Sequence, residues 1–311
     1  MEKSIKILGL IAIIGICSIF IFGTKSNSEN NIINSDKNTS ETYQIKALKI
    51  PENLEFAGEK IPLNKPDIRE RIDKELLVNT YWQSNGLLLI KRANKYFPII
   101  EPILKKNGIP DDFKYLAVIE SGLQNITSPA GATGFWQIMP ATAKENNLEV
   151  NSNVDERYHI EKSTEVACDY LNKAKNKFGN WTLAAASYNA GMYGISKKLE
   201  EQLVNDYYDL LVSDETKRYV PRIVAIKEIL SNPSKYGFIF DEDDLYSESK
   251  TNTIKVDTTI NNIALFSKNL GTNYMVLKLH NPWLREPHLN NKSQKKYYID
   301  IPHEGYYQTK P

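Results

Sequence analysis

Cysteine and histidine are scarce in this chain of 311 residues, which contains two cysteines and four histidines. Cys17 lies in an apolar N-terminal run and Cys168 in a helical apolar pattern, where it is expected to pack as a small hydrophobic residue. The two cysteines therefore predict neither a structural disulfide nor a thiolate metal site. The histidines are scattered and have no partner at ligand spacing, so neither a metal nor a cofactor is expected. They are His159, His280, His288 and His303.

The chain also lacks an excess of charge of either sign. Lys plus Arg number 39 and Asp plus Glu number 38, which leaves a formal net charge of +1. A nucleic-acid partner recognised through charge is therefore not expected. The sequence contains no evident Ser-His-Asp grouping and no phosphate loop. It is rich in tyrosine, with 18 residues, which suits a globular protein with an amphipathic groove.

A long uncharged run occupies residues 7–24, ILGLIAIIGICSIFIFGT, and two lysines precede it. Such a run predicts an export signal or a membrane anchor. It is longer than a usual signal-peptide core and has no obvious small-x-small cleavage site, which favours an uncleaved anchor with the lysines on the cytoplasmic side. A lipid-modified Cys17 is the alternative, but Ile16 is bulky for the position before such a cysteine.

Four regions follow from this pattern. Residues 1–24 are assigned as signal or membrane anchor, and residues 25–67 as a polar tether followed by an irregular lead-in expected to lie over a domain surface. Residues 68–237 are predicted to form a mainly α domain, and residues 252–303 a small C-terminal unit. The stretch 238–250 between them is interpreted as an acidic linker.

Helical periodicity dominates the domain at 68–237. Helices are predicted at about 68–84, 86–107, 161–178 and 181–189, with a last helix from Ser213. The second helix repeats Leu88, Tyr96, Ile99 and Ile103 on one face. Its two prolines, Pro98 and Pro102, predict a bend or a break. The charged run from Arg69 to Glu75 in the first helix is interpreted as a solvated face.

One carboxylate, Glu120, continues an otherwise apolar helix stripe. After a helix-start signal at residues 110–112, apolar side chains recur at helical spacing up to Glu120, and Gly122 predicts the helix end. Burial and the negative potential at a helix C-terminus both disfavour the ionised carboxyl. Glu120 could then donate a proton near neutral pH. On the helix pattern alone, a solvated side chain beside the turn is the alternative.

Further motifs follow Glu120 in a fixed order. Ser121 comes directly after it, then SPAGATGFWQIMP at residues 128–140, ASYNAG at 186–191 and ETxxYVP at 215–221. This ordered set resembles the lysozyme-like (SLT-type) lytic transglycosylase family, most closely its membrane-bound type D murein transglycosylases, over roughly residues 95–231. The resemblance implies a mainly α, α+β lysozyme-like catalytic domain acting on peptidoglycan glycan strands. It also implies a location at the cell envelope, membrane-anchored or exported to the periplasm.

The resemblance implies a reaction and a set of site residues. Glu120 would protonate the oxygen between N-acetylmuramic acid and N-acetylglucosamine, then take a proton from the C6 hydroxyl, so that a 1,6-anhydromuramoyl end forms. The implied substrate-binding residues are Ser128 and Gln137 for acetamido and hydroxyl groups, Met139 as subsite lining, Tyr188 and Asn189 for positioning, and Tyr219 as the opposite wall. Phe135 and Trp136 replace the usual Leu-Met, a change expected to reshape one subsite. A spacing from Glu120 to Ser128 one residue shorter than in some relatives weakens the assignment of Ser128.

The C-terminal unit alternates apolar residues at 253–256 and 297–301, with two helical patterns between them. A small β-α-α-β order is therefore predicted. Its sequence is similar to a degenerate LysM glycan-binding module, and a capping unit that binds nothing is the alternative.

Two other functions remain open from the sequence. A hydrolytic muramidase would need a second carboxylate, for which Asp155 and Glu156 are the nearest candidates, although Asp155 and Arg157 are expected to pair or cap. A non-catalytic peptidoglycan-binding tether would need only the groove, the anchor and the C-terminal unit. The combination of Glu120, Gln137, Tyr188 and Asn189 argues against it, because a pure binder needs no buried proton donor.

Overall fold

The computed structural model describes residues 45–303. The predicted anchor and most of the polar tether lie outside these residues, and no helix within 45–303 is long and apolar enough to cross a membrane. The N-terminal part contains β1 (Glu55–Phe56), β2 (Glu59–Lys60), α1 (Pro66–Tyr81), α2 (Gln83–Lys106), α3 (Lys114–Ser121) and α4 (Pro140–Glu145). Next come α5 (Ile160–Phe178), α6 (Trp181–Ala190), α7 (Met192–Gln202) and α8 (Asp214–Ser231). The chain continues with β3 (Thr251–Val256), α9 (Ile263–Asn269), α10 (Tyr274–His280) and β4 (Tyr297–Pro302).

The predicted helices are present, and their ends follow the expected signals. Gly122 and Gly179 adopt left-handed conformations at the ends of α3 and α5. Ser213 caps α8 by accepting a hydrogen bond from the Thr216 N–H. Helix α7 was not predicted, since Ile195 is its only buried residue and its apolar pattern is correspondingly weak.

Helix α2 differs from its prediction at its two prolines. It continues without a break through Pro98 and Pro102, and Ile100 and Leu104 beside these prolines are fully buried in the core. Tertiary packing here offsets the lost backbone hydrogen bonds. The face predicted to carry apolar side chains is only half-buried, although Tyr96 and Ile103 on it pack against the core. The residues that α2 buries are Gly86, Leu89, Ile90, Ala93, Ile100 and Leu104.

The charged face predicted for α1 is not wholly solvated. Glu75 is fully buried, and its carboxylate pairs with Arg218 at 2.5 Å and Arg222 at 3.3 Å, both on α8. A buried carboxylate requires such partners. The single-helix pattern missed this pair because its cations come from an element more than 140 residues along the chain.

The lead-in at residues 45–65 contributes to the core. Phe56 is fully buried and meets the Phe113 ring edge-on at a centroid distance of 5.0 Å. The Glu59 carboxylate accepts hydrogen bonds from the backbone N–H groups of Trp181 and Thr182, at 2.5 and 2.8 Å. These are unpaired donors at the start of α6, where a negative charge is favourable. The short β1-β2 hairpin thus fixes one end of the helix that carries Tyr188 and Asn189.

The C-terminal unit has the predicted β-α-α-β order. Strands β3 and β4 pair antiparallel, with Thr251 opposite Pro302 and Val256 opposite Tyr297. Helices α9 and α10 pack on this two-stranded sheet around buried Ile263, Leu277 and Ile299. The stretch interpreted as a linker also packs, since Phe238 is buried in the main core and Glu248 pairs with Lys95 at 3.3 Å.

We predict that deletion of residues 1–45 gives a soluble, folded protein, because the contacts from Lys46 onward, including its backbone hydrogen bonds to Tyr81, remain. Thermal unfolding should match that of the full chain in detergent. As a contrast, Phe56→Ala in the truncated protein should lower the free energy of unfolding by about 3–5 kcal/mol. Failure of the truncated protein to fold would contradict the boundary at residue 45.

Candidate active site

Glu120 lies in the last turn of α3, as the sequence predicts. The Gly122 N–H donates to the Val118 carbonyl at 2.8 Å, and Gly122 has φ 61°, so the chain turns sharply beyond the carboxylate. Burial raises the pKa of Glu120 to about 7, and the negative charge of Glu215 also raises it. A hydrogen bond from Tyr219 and the positive charge of Arg222 act in the opposite direction. With its pKa raised in this way, the carboxyl is able to give or take a proton near neutral pH.

The helix-start signal before α3 acts differently from its prediction. Neither aspartate caps the turn with its side chain. Asp112 instead accepts from the Ala57 N–H and from Lys227, both at 2.7 Å, and Asp111 pairs with Lys114. The long-range partners of Asp112 join the start of the helix to the β1-β2 hairpin and to α8.

Two tyrosines enclose Glu120. Tyr219 on α8 is 4% exposed, and its hydroxyl donates a hydrogen bond to the Glu120 Oε1 atom. Tyr188 on α6 donates to the Trp136 carbonyl at 2.7 Å. Burial, with a further contribution from the Glu120 charge, raises the pKa of Tyr188 well above its usual value. Both tyrosines remain neutral and can act only as hydrogen-bonding and packing groups.

The side chain of Asn189, next to Tyr188, is hydrogen-bonded to α8. Its Oδ1 atom accepts from the Thr216 hydroxyl at 2.8 Å, and Thr216 belongs to the capped first turn of α8. This bond fixes the amide oxygen, so the orientation of the Nδ2 group is fixed as well. The structure brings Tyr188, Asn189 and Tyr219 to the junction of α6 and α8.

The glycine-rich loop, residues 128–139, is held by its own polar groups. The Ser128 hydroxyl accepts from the Ala132 N–H at 3.1 Å. Gln137 has φ 47°, and its Nε2 group donates to the carbonyls of Gly134 at 2.9 Å and Ile126 at 3.1 Å. Met139 is 43% exposed at the end of the loop. Of the three predicted subsite residues, Ser128 and Gln137 thus order the loop, and Met139 offers an open apolar surface.

Phe135 and Trp136 do not reshape a subsite with their side chains, contrary to the prediction. Trp136 is fully buried and donates from Nε1 to the Thr164 hydroxyl at 2.8 Å. Phe135 is 2% exposed and packs edge-on against Tyr96. The left-handed turns at Gly134 and Gln137 point these rings inward. The larger side chains therefore fill the core behind the loop.

The predicted pair of Asp155 and Arg157 is confirmed. Two hydrogen bonds of 2.9 and 2.7 Å join the guanidinium to the carboxylate, and Asp155 also caps the turn at Glu156–Tyr158. The same guanidinium donates to the carbonyls of Gly131 at 2.8 Å and Ile138 at 3.2 Å. Arg157 therefore holds both ends of the glycine-rich loop.

The second carboxylate that acts on Glu120 is Glu215, which the sequence analysis did not select. Asp155 is engaged by Arg157, and Glu156 is 2% exposed and paired with Lys162 and Lys295. Neither affects the pKa of Glu120, whereas Glu215 raises it. The sequence does contain a signal for Glu215, because this residue lies one helical turn before Tyr219 on the same helix face. Within residues 45–303, no group of three or more His, Cys, Asp or Glu side chains is placed to hold a metal ion.

Two family models match the chain. Residues 97–209 match the transglycosylase SLT domain, and residues 252–305 match the soluble lytic transglycosylase C-terminal LysM-like domain. The chain thus combines a mainly α region that is similar to the SLT domain with a small LysM-like unit. These matches confirm the resemblance to the lytic transglycosylase family that the motifs predict.

Two curated relatives are similar to parts of the chain. The chain is 31% identical over 191 residues to membrane-bound lytic murein transglycosylase D of Escherichia coli strain K12, a match covering 58% of this chain and 41% of that protein. It is also 29% identical over 102 residues to a putative tributyltin chloride resistance protein of Alteromonas sp., covering 32% of this chain and 49% of that one. The chain therefore spans less than half the length of the curated relatives it matches.

Two similar solved structures are lytic transglycosylases. The 70 kDa enzyme of Escherichia coli has a TM-score of 0.39 and 23% identity, covering 45% of this chain and 24% of that one. The enzyme Slt of Pseudomonas aeruginosa has a TM-score of 0.38 and 21% identity, covering 49% of this chain and 26% of that one.

We predict a pH signature of the buried carboxyl. Glu120 has a folded-state pKa of about 7, against an ordinary value of 4.5. Relative to the ionised form, the neutral carboxyl therefore favours the folded protein, and this stabilisation is present below about pH 4.5 and lost as the pH rises to about 7. Glu120→Gln should therefore match the wild type near pH 4.5 but exceed its free energy of unfolding above pH 7, by on the order of 2–3 kcal/mol. Denaturant unfolding at both pH values measures this, and equal stability above pH 7 would contradict it.

We predict that Gly134→Ala is much more disruptive than Gly131→Ala. Both glycines have positive φ, 83° and 86°, and each alanine incurs a conformational cost of about 1–2 kcal/mol. At Gly134 the added methyl would also lie 2.1 Å from the Arg157 carbonyl oxygen, whereas no such atom lies within 4 Å at Gly131. Thermal unfolding of the two variants measures the difference. Equal losses would mean that the close approach of Gly134 to Arg157 is unimportant.

Proposed function

We propose that the protein is a peptidoglycan lytic transglycosylase that cleaves the β-1,4 bond between N-acetylmuramic acid and N-acetylglucosamine and forms a 1,6-anhydromuramoyl end. The observation that carries this proposal is Glu120, a partly buried carboxyl with a pKa near 7 that is hydrogen-bonded by Tyr219. The SLT domain match and the murein transglycosylase relatives support it.

In this reaction Glu120 serves as acid and then as base. The neutral carboxyl protonates the glycosidic oxygen, the bond to the anomeric carbon breaks, and the substrate's acetamido group stabilises the cationic carbon. The C6 hydroxyl of the same sugar then attacks that carbon and gives its proton to Glu120, which restores the neutral acid. Because the nucleophile belongs to the substrate, its effective concentration is high and no water is consumed. A carboxyl with a pKa near the working pH suits both proton transfers.

The surrounding residues have positioning roles in this proposal. Tyr219 orients Glu120, and Tyr188 and Asn189 fix the junction where the sugar would lie. The Ser128 hydroxyl accepts from the Ala132 N–H and retains its own proton, which could be donated to an acetamido or hydroxyl oxygen. Gln137 uses its Nε2 group inside the loop, which leaves its carbonyl oxygen as an acceptor. Met139 supplies the apolar surface of the subsite.

A hydrolytic muramidase is the second candidate, and Glu215 is the observation that favours it. This side chain is exposed and its charge acts on Glu120, so it could activate a water molecule. We favour the transglycosylase because the burial that raises the pKa of Glu120 also disfavours water at the reacting carbon. A binding tether without activity remains the third possibility.

The proposed location is the cell envelope. The name of the Escherichia coli relative indicates a membrane-bound protein, and the uncharged run at residues 7–24 is consistent with an anchor or export signal. We propose that this segment holds the catalytic domain at the outer face of the cytoplasmic membrane or releases it into the periplasm. The LysM-like match supports peptidoglycan glycan strands as the partner.

Product analysis tests the reaction. Purified sacculi digested with the protein and treated with borohydride should yield fragments whose masses correspond to anhydro ends, which resist reduction. Glu120→Gln should bind sacculi with nearly unchanged affinity and release no detectable fragments, because glutamine keeps the shape but has no transferable proton. Mainly reducible ends, abolished by Glu215→Gln, would support the muramidase instead, and binding without cleavage by the wild type would support the tether.

A further inference from the structure

The segment 149–158 lies between the C-terminal unit and the glycine-rich loop. It connects α4 to α5, and Val154 within it is fully buried in the core of the C-terminal unit rather than in the main core. The same segment contains Arg157, which holds the glycine-rich loop. Residues 149–158 therefore contact both the C-terminal unit and the glycine-rich loop.

On the side of the C-terminal unit, the segment is joined through its backbone. The Asp155 N–H donates to the Trp283 carbonyl, and the Arg285 N–H donates to the Asn153 carbonyl, both at 2.9 Å. The Asn153 side chain donates to the His288 carbonyl at 2.8 Å. These bonds act like the pairing of two strands, so the segment cannot shift without the C-terminal unit shifting as well.

A charged cluster strengthens this connection. The Lys295 ammonium lies 2.6 Å from Glu149 and 3.2 Å from Glu156, and the Tyr297 hydroxyl donates to the same Glu149 oxygen at 2.9 Å. Glu149 and Glu156 occupy the two ends of the turn, since the Glu149 N–H donates to the Glu156 carboxylate at 2.8 Å. Lys162 also pairs with Glu156, at 2.5 Å, whereas Lys295 contacts both carboxylates. Without Lys295, one cation would remain for two carboxylates, and the charge of Glu149 would repel that of Glu156 across this turn.

Trp283 supports a structural role for this surface of the C-terminal unit. Its ring is 3% exposed and stacked between His159, at a centroid distance of 6.3 Å, and Tyr297, at 5.6 Å. Arg285 also stacks on Tyr158, 4.0 Å from the ring centroid. The Trp283 ring, which could stack on a sugar, is thus enclosed within the contact of the C-terminal unit with residues 158–159.

On the side of the loop, the segment contacts backbone that needs support. Arg157 bonds to the carbonyls of Gly131 and Ile138, and the Tyr158 hydroxyl lies 2.9 Å from that of Thr127. The loop includes left-handed residues at Gly134 and Gln137. A non-glycine residue in this conformation persists only when its surroundings hold it there.

We propose that the C-terminal unit holds the active-site loop in its working conformation through the segment 149–158, with Lys295 as a remote positioning residue. This inference rests on the proposed function, because the loop carries Ser128, Gln137 and Met139. It assigns the LysM-like unit a second role besides any binding of glycan. Lys295 acts on Glu149 and Glu156, these fix the turn, and the turn fixes Asp155 and Arg157.

The test compares Lys295→Met with Lys296→Met in the otherwise full-length protein. Lys296 is an exposed neighbour, so its substitution controls for a lost surface charge. Lys295→Met should lower kcat on sacculi by about 3- to 30-fold, the range expected for a remote coupling residue, with a smaller rise in KM. Lys296→Met should change neither quantity, and Lys295→Arg should retain most of kcat, since a guanidinium can bridge both carboxylates.

Hydrogen exchange measured by mass spectrometry gives a readout that does not depend on activity. In Lys295→Met, amides in residues 128–139 should exchange faster, while those of α8 stay at the wild-type rate. Wild-type exchange in the loop together with wild-type kcat would overturn the inference. A rise in KM alone with unchanged exchange would also overturn it, since that pattern indicates a glycan-binding role. If the wild type has no turnover, the proposed function fails, but the exchange experiment still decides the coupling.

Discussion

A hydrogen bond between Tyr219 and Glu120 is the contact on which the site depends. It joins α3 and α8 across 99 residues of sequence and holds a carboxyl that burial would otherwise keep neutral and loosely oriented. Helix α8 also carries side chains that shift the pKa of Glu120 in opposite directions, since Glu215 raises it while Tyr219 and Arg222 lower it. These three side chains recur at spacings of four and three residues, so they share one face of α8. The protonation of Glu120 is therefore set mainly by the placement of one helix.

That placement is fixed from the other side by the buried Glu75. Its carboxylate binds Arg218 and Arg222, so Arg222 serves both the α1–α8 contact and the electrostatics of Glu120. The Tyr207 hydroxyl also donates to the carbonyls of Thr216 and Lys217, at 2.7 and 2.8 Å, in the first turns of α8. A buried ion pair adds little net stability but strongly penalises the loss of one partner. Here the pair joins α8 to α1, and loss of either partner would leave a buried charge without its counterion.

Much of this architecture could be predicted from local sequence, and the exceptions have a common physical cause. The helix of Glu120, its end at Gly122 and the Asp155–Arg157 pair depend on neighbours within a few residues. Burial of Glu75 and the influence of Glu215 on Glu120 depend on α8, whose position no local pattern specifies. Phe135 and Trp136 were assigned to a subsite because a family comparison gives their place in sequence but not the direction of their side chains. The contacts of Lys295 with Glu149 and Glu156 were not predicted either, because they join residues that are distant in the sequence.

The cap that Glu59 provides for α6 has a consequence for how the protein folds. Its carboxylate meets Trp181 and Thr182 across 122 and 123 residues of sequence, and the α1–α8 ion pair spans more than 140. Contacts of such separation require large loops to close before they contribute any stability, which slows folding even in a mainly helical chain. The helices can form early, but the capped start of α6, the helix that carries Tyr188 and Asn189, waits for the distant hairpin. A newly made chain would therefore have most of its helices before it had a working cleft.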